Sequence, residues 1–179
     1  MKLNHNDKTI SSQIVFKGKL MNVELKDLEN ENGLRYKREL VHRVNAVAVV
    51  AINDGKIILV KQFRAAVDKP LLELPAGIIE DDDPQNTAYK ELIEEAGYKA
   101  NTLEFMTKFY SSAGYTDEVV YLYKASDLEA VDPDPEEEEL IEIVEIPLEQ
   151  AIEDAKSGKI EDAKTVIGLL LVACENDKQ

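Results

Sequence analysis

Cysteine and long apolar segments are nearly absent from this chain. Its one cysteine, Cys174, cannot form an internal disulfide. The longest apolar run, 166–174, is interrupted by a glycine and is far too short to cross a bilayer. The N-terminal residues are polar and lack the apolar stretch of a secretory signal. These absences predict a cytoplasmic protein with no membrane partner. Because Cys174 lies in an apolar predicted helix, we expect it to pack in the protein core and not to act as a nucleophile.

Basic residues are also in short supply. The chain holds 21 lysines and arginines against 36 aspartates and glutamates, which gives a formal net charge of −15. Such a surface repels nucleic-acid backbones and anionic membranes, so no nucleic-acid partner is expected. A phosphate-bearing substrate would need a site made locally positive by metal ions and a few arginines. The two histidines, His5 and His42, lack metal-ligand spacing and are expected to be incidental.

The strand and helix patterns predict one mixed domain. Strands are predicted around 15–25 and at 36–43, 46–52, 56–63, 103–110, 119–123 and 140–146. Asn32-Gly33 and Asn53-Asp54-Gly55 predict hairpin turns. Helices are predicted at 84–96, 148–156 and 162–174. Strands dominate early and helices are interspersed without regular alternation, so the fold class is α+β, an α/β/α sandwich.

The helix predicted over 84–96 carries the strongest chemical signal. Asp83 and Pro84 are a typical helix start, and Gly97 suits a left-handed cap at its end. Glu91, Glu94 and Glu95 project from one side of this helix, where like charges repel. A solvated acidic face is one interpretation. A divalent cation would turn the repulsion into coordination, because hard cations bind carboxylate oxygens.

This segment resembles the signature of the Nudix hydrolases, G-x5-E-x7-R-E-U-x-E-E-x-G-U, where U is a bulky apolar residue. The matching positions are Glu91, Leu92, Glu94, Glu95, Gly97 and Tyr98. Lys90 stands where the family has arginine, and the chain is one residue short between Gly77 and Lys90. If the gap lies at 80–83, Asp82 takes the place of the first glutamate. The shortening is expected to trim a loop and leave the helix intact.

More of the chain is similar to the ADP-ribose pyrophosphatase branch of that family. The similar segments are Arg38-Glu39 with Arg43, 60–64, 72–77, 111–118 and 162–165. The resemblance implies a Nudix-type α/β/α sandwich with a mixed β-sheet over residues 44–179. Residues 1–43 would form an N-terminal antiparallel strand region that belongs to the same unit and serves dimerisation.

The resemblance also implies the reacting groups. Metal would be held by the Ala76 carbonyl, Glu91, Glu95 and Glu139, and the catalytic carboxylates would be Glu94, Glu95 and Glu137. Glu94 could be either a metal ligand or a supporting group. The general base falls within Glu136–Glu139, where four consecutive glutamates leave the alignment open and Glu137 fits best. The cofactor would be Mg²⁺, with Mn²⁺ as an alternative.

Substrate contacts are implied at nine further positions: Arg38, Glu39, Arg43, Arg64, Ile78, Ser112, Ala113, Gly114 and Glu118. A guanidinium such as that of Arg64 binds phosphate oxygens in a bidentate manner. For Arg38, Glu39 and Arg43, the alternative interpretation is ion pairing between strands of a solvated sheet. For residues 111–118, the alternative is an ordinary turn.

The expected activity is Mg²⁺-dependent hydrolysis of ADP-ribose to AMP and ribose 5-phosphate by a homodimer whose N-terminal strands exchange between protomers. Three alternatives stay open. The same chemistry could act on another nucleoside diphosphate derivative, such as a nucleotide sugar. The departures at Lys90 and in the shortened loop would suit a Nudix-fold regulator that senses the nucleotide without cleaving it. The acidic surface alone would suit a protein that binds a partner and needs no metal.

Overall fold

The computed structural model describes residues 7–80, 82–133 and 140–176. The chain divides into two compact units. Residues 1–45 and 110–119 form the strand unit, and residues 46–109 and 120–179 form the sandwich unit. Within the described residues, no helix is long and apolar enough to span a membrane.

The strand unit is built on a three-stranded antiparallel sheet in the order β1-β2-β3. Its strands are β1 (Lys8–Lys17), β2 (Met21–Glu29) and β3 (Arg35–Arg43). The turn predicted at Asn32-Gly33 joins β2 to β3, and there the Gly33 N–H donates to the Asn30 carbonyl at 2.9 Å. Gly33 has a φ of 78°, a conformation that glycine adopts without steric cost.

The sandwich unit contains a seven-stranded mixed sheet whose main path runs β10-β5-β4-β9-β8. Its strands are β4 (Ala46–Asn53), β5 (Lys56–Arg64), β6 (Lys69–Glu73), β7 (Ala76–Ile78), β8 (Tyr98–Tyr110), β9 (Val119–Ala130) and β10 (Ile141–Pro147). Strand β4 pairs parallel to β9 and antiparallel to β5 and β7. Asp54 and Gly55 both have positive φ, the backbone of the tight hairpin predicted between β4 and β5.

Helices cover both faces of this sheet. They are α1 (Pro84–Ala96), α2 (Leu148–Lys156) and α3 (Ala163–Asn176). Alternation along β4 sends Val47, Val49 and Ala51 into a cluster with α1, and Ala48 and Val50 into a cluster with α2 and α3. The predicted α/β/α sandwich and its mixed sheet are confirmed.

The structure corrects the sequence predictions at three places. The short strands β6 and β7 were not predicted, and β8 begins at Tyr98, five residues earlier than expected. Cys174 is exposed and not in the core, because the buried face of α3 carries Leu169 and Val172 while Cys174 points elsewhere. The intact span of α1 shows that the shortened segment before it does not cut into the helix.

Candidate active site

Helix α1 begins and ends with well-formed caps. The Asp83 carboxylate accepts the Asn86 N–H at 3.1 Å, and Pro84 occupies the first helical position. Gly97 closes the helix with a φ of 68° and donates its N–H to the Ile93 carbonyl at 3.0 Å. These caps fix the span of the helix and therefore the directions in which its glutamates project.

Two of those glutamates lie against the Ala76–Gly77 segment. Glu95 is only 4% exposed, and its Oε2 accepts the Ala76 N–H at 2.7 Å. A Cβ at residue 77 would overlap the Glu91 carboxylate, so any larger residue there would displace that carboxylate. Glu95 therefore lies against Ala76 and Glu91 against Gly77, so the two carboxylates approach adjacent residues of one segment. Sequence reasoning predicted Glu91, Glu95 and the Ala76 carbonyl as metal ligands.

The donors of this cluster suit a hard divalent cation. Carboxylate and main-chain carbonyl oxygens are the ligands that Mg²⁺ binds, usually with several waters retained. Within the described part of the chain, no three His, Cys, Asp or Glu side chains are grouped as a complete metal site. Glu91, Glu95 and the Ala76 carbonyl would thus provide part of the coordination. The predicted Glu137 and Glu139 lie outside the described residues.

The two remaining predicted residues of this region lie beside the cluster. Glu94 is on α1 and is partly buried. Ile78 ends β7, directly after Gly77, and is also partly buried. Asp82, the candidate for the first glutamate of the motif, is exposed and has a φ of 56°.

Arg64 ends β5, as predicted, and part of its guanidinium is engaged within the protein. Its Nε and Nη2 donate to the two carboxylate oxygens of Glu73, at 2.6 and 2.8 Å. The Glu73 side chain is 2% exposed, and Lys164 is also paired with it. Burial alone would raise the pKa of Glu73, but the two cations reverse that effect and hold the pKa below its ordinary value. Arg64 itself is 42% exposed at the side chain, and its Nη1 makes no bond to Glu73.

Sequence reasoning gave Glu73, Lys164 and Thr165 no role. The Glu73 carboxylate joins Arg64 to Lys164, and the Thr165 hydroxyl accepts the Leu74 N–H. One signal was available: Glu73 is the only charged residue between Pro70 and Ile79. A charge inside an apolar stretch indicates a buried residue with a partner.

The strand unit holds the other predicted substrate contacts. The Arg38 guanidinium lies 4.4 Å from the centre of the Tyr36 ring, and Glu39 is exposed on β3 beside it. The Arg43 guanidinium lies 3.5 Å from the Glu118 carboxylate, and the main-chain N–H of Arg43 donates to the Asp117 carboxylate at 3.1 Å.

The predicted loop residues Ser112, Ala113 and Gly114 form a turn in the same unit. The Ser112 carbonyl accepts the N–H groups of Tyr115 and Thr116, at 3.1 and 3.0 Å. A Cβ on Gly114 would meet nothing within 4 Å, so the fold does not require glycine there.

His42, expected to be incidental, instead bridges two carboxylates. Its Nε2 is 2.7 Å from Glu24 and its Nδ1 is 2.5 Å from Asp117. Asp117 first and Glu24 second raise the pKa of the imidazole, because the protonated ring can donate to both carboxylates. The Ser12 hydroxyl, followed by His42, lowers the pKa of Glu24 to about 2. This bridge ties the 111–118 loop to β2 and β3, and no local sequence spacing could have revealed it.

Known proteins are similar to this chain over most of its length. A NUDIX domain model matches residues 41–167. An ADP-ribose pyrophosphatase of Bacillus subtilis is 41% identical over 91% of this chain and 90% of its own length. A methanol dehydrogenase activator of Bacillus methanolicus is 38% identical, with the same coverage. A GDP-mannose pyrophosphatase of Cronobacter sakazakii is 37% identical over 79% of this chain and 81% of its own.

A solved structure described as an ADP compounds hydrolase superimposes with a TM-score of 0.89 at 27% identity, covering 100% of this chain and 98% of that one. The chain belongs to the Nudix family, and it is a Nudix hydrolase.

Proposed function

We propose that this Nudix hydrolase cleaves the pyrophosphate bond of ADP-ribose, giving AMP and ribose 5-phosphate. The observation that carries the proposal is the placement of Glu91 and Glu95 against the Ala76–Gly77 segment. The choice of substrate is supported by the relative named as an ADP-ribose pyrophosphatase, at 41% identity over most of both chains.

The charge of the protein makes a cation necessary for this activity. At −15 the chain repels a diphosphate, and the proposed site adds further carboxylates. Glu91, Glu95 and the Ala76 carbonyl would hold Mg²⁺, or Mn²⁺ in its place. When bound, the ion would lower the pKa of a coordinated water and neutralise the phosphate oxygens.

The reaction adds one water across the P–O–P bridge. The water oxygen joins one phosphorus, and the bridging oxygen leaves with the other phosphate, so two phosphate monoesters result. Glu137 takes the proton of the attacking water, with Glu139 as a further metal ligand and Glu94 supporting the carboxylate cluster. These three roles rest on the family resemblance.

Substrate binding is proposed at the residues that the resemblance indicates. Arg64 is held by Glu73 in a fixed orientation, which lowers the entropy that a flexible side chain would lose on binding phosphate. Arg38, Glu39, Arg43 and the loop residues Ser112, Ala113, Gly114 and Glu118 are retained as substrate contacts, with Ile78.

A homodimer is part of the proposal. All ten residues of β1 are exposed, and Ile14, Val15 and Phe16 among them are large and apolar. An exposed apolar strand of this kind invites pairing or packing with another chain. A second copy of the chain, exchanging its N-terminal strands, would cover it. The lone cysteine makes the cytoplasm the proposed location.

Product analysis tests the proposal. The purified chain with Mg²⁺ and ADP-ribose should release AMP and ribose 5-phosphate in equal amounts, and a chelator should stop the reaction. Glu95→Gln keeps the side-chain volume but removes the charge, so turnover should fall by about a hundredfold. Glu104→Gln on β8, an exposed residue outside the motif, is the matched control. Absence of turnover in the unmodified chain would overturn the proposal.

A nucleotide sugar is the second candidate substrate, favoured by the GDP-mannose pyrophosphatase among the relatives. The same assay on GDP-mannose and ADP-glucose separates the two. The proposal requires a higher kcat/KM for ADP-ribose than for either nucleotide sugar, and the reverse ranking would reassign the substrate without changing the chemistry.

A further inference from the structure

The segment Leu74–Ala76, which leads from the end of β6 into β7, is held by hydrogen bonds to three different elements. The Leu74 N–H donates to Thr165 Oγ1 in α3 at 2.8 Å, the Pro75 carbonyl accepts the Val49 N–H of β4 at 2.9 Å, and the Ala76 N–H donates to Glu95 in α1 at 2.7 Å. The bond to α1 belongs to the Nudix motif. The bond to α3 comes from a residue 91 positions later in the chain, outside that motif.

The Thr165 hydroxyl has one orientation available to it. The side chain is fully buried, and its Oγ1 donates to the Asp162 carboxylate at 2.6 Å. The same carboxylate oxygen accepts the Thr165 N–H at 3.0 Å, which is the geometry of a helix N-cap. Because its hydrogen is committed to Asp162, the hydroxyl presents a lone pair to the Leu74 N–H. Buried main-chain N–H groups are costly to leave unpaired, so this contact is strongly favoured.

A second contact joins α3 to the neighbouring residue. Lys164 pairs with the buried Glu73 carboxylate and donates to Asp162 at 3.0 Å. The start of α3 therefore contacts the side chain of Glu73 and the main chain of Leu74 together.

Close packing brings α3 to this segment. A Cβ on Gly168 would lie 2.8 Å from a Val50 methyl and 3.0 Å from a Leu74 methyl. Only glycine lets the helix approach so closely, and the approach brings Thr165, one turn earlier, to the Leu74 N–H.

We infer that Thr165 is a positioning residue for the metal-holding segment: it fixes the main chain at Leu74 and thereby the Ala76 carbonyl two residues later. This inference rests on the proposed function, because it presumes that Ala76 holds a metal ion. Thr165 does not touch the substrate or the reacting atoms. Its role is to keep the Ala76 oxygen in register with Glu91 and Glu95, which project from α1, and it acts together with the bond from the Ala76 N–H to Glu95.

The test compares Thr165→Val with Thr165→Ser. Valine preserves the shape of threonine but removes the hydroxyl, which leaves the Leu74 N–H without its acceptor. Serine keeps the hydroxyl and should restore the behaviour of the unmodified chain. Mn²⁺ binding is measured on substrate-free protein by electron paramagnetic resonance, and thermal unfolding is measured in parallel. We expect Thr165→Val to bind Mn²⁺ about tenfold more weakly, with a matching rise in the Mg²⁺ concentration for half-maximal turnover and a smaller change in the KM for ADP-ribose.

Val172→Ala is the control for a purely structural effect. Val172 is buried on the same helix, and its truncation loosens the packing without touching the polar contacts of Thr165. If Val172→Ala weakens Mn²⁺ binding as much as Thr165→Val at a similar loss of melting temperature, the positioning role is wrong. Unchanged Mn²⁺ binding in Thr165→Val would also overturn it, while turnover by the unmodified chain would leave the proposed function standing. An unmodified chain that neither binds Mn²⁺ nor cleaves ADP-ribose would overturn both.

Discussion

The two units of this chain differ in what they bury. Every buried hydrophobic residue in the described part of the chain belongs to the sandwich unit, where two clusters fill both faces of the sheet. In the strand unit, the buried residues described are Glu24 and Thr116, both polar. Apolar burial is the dominant favourable contribution to folding. The sandwich unit therefore has its own source of stability. The strand unit depends on sheet hydrogen bonds and ion pairs, and its exposed apolar residues are the ones that the proposed second protomer would cover.

The largest contrast should come from truncating leucines in the two units. Leu122 on β9 is fully buried, and Leu122→Ala should lower the free energy of unfolding by about 2–5 kcal/mol, because it removes apolar burial and leaves a cavity. Leu34 in the strand unit is 63% exposed, so Leu34→Ala should change it by less than about 0.5 kcal/mol. Chemical denaturation measures both. Equal losses would remove the contrast between the units.

Substituting one glycine in each unit compares how the two units respond to an added methyl group. Gly77→Ala places a methyl group where the Glu91 carboxylate lies, and the displaced carboxylate should reduce turnover by about a hundredfold. Gly114→Ala points its methyl group into open space, so its melting temperature should match that of the unmodified chain. Turnover assays and thermal scans measure the two effects. Full activity in Gly77→Ala would mean that the Glu91 position seen here is not needed for the reaction.

The proposed role of the exposed apolar residues of β1 in dimerisation can be tested by measuring the dimer dissociation constant. Replacing Ile14 and Phe16 with aspartate should raise the dimer dissociation constant by at least about tenfold, since charged groups would have to be buried at the interface. Leu34→Asp makes a similar change in the β2–β3 turn, at the opposite end of the sheet from Ile14 and Phe16, and should leave the dimer intact. Sedimentation equilibrium reports the mass of each. An unmodified chain that sediments as a single protomer at every concentration would contradict the dimer.

The smallest effect is a pH dependence confined to the strand unit. The carboxylates of Asp117 and Glu24 raise the pKa of His42 above its ordinary value. A raised pKa in the folded state stabilises the protein at low pH, and this contribution is lost as the pH rises above about 6.5 and through the folded pKa. Because the His42 side chain is 37% exposed, solvent screening should keep the loss below about 1 kcal/mol.

Imidazole titration by NMR, with thermal scans at pH 6 and pH 9, measures this effect. His42→Gln should remove the difference between the two scans, and Asp117→Asn should lower the pKa of His42. Glu24 and Asp117 have lowered pKa values, so their own contributions are lost only in more acidic solution. A His42 pKa at or below its ordinary value would contradict the bridge.

The sequence predicts those elements whose pattern lies within a short stretch of the chain. Helix α1 carries its own start, end and periodicity, and its predicted bounds are those of the structure. Strand β4, apolar on both faces, was predicted to within one residue. Strands β6 and β7 were missed, because they are short and are defined by pairing with β5 and β4, which no local pattern records.

The contacts of the site also divide into those set by local spacing and those between residues far apart in the chain. Glu91 and Glu95 were predicted to lie together because helical spacing places them on one face. The contacts of Thr165 with Leu74 and of His42 with Asp117 join residues 91 and 75 positions apart. Such pairs arise from the packing of the whole unit, so a single sequence contains no spacing from which to infer them.

The bond between Leu74 and Thr165 has a consequence for synthesis on the ribosome. The chain emerges from its N-terminus, so α1 and the Ala76–Gly77 segment leave the exit tunnel well before α3 does. Until Asp162 and Thr165 follow, the Leu74 N–H must be satisfied by water, and the segment lacks its last anchor. If Thr165 positions the proposed metal site, the nascent chain will already contain all the carboxylates of α1 before it can bind a metal ion tightly. Hydrolysis would then begin only after α3 has docked.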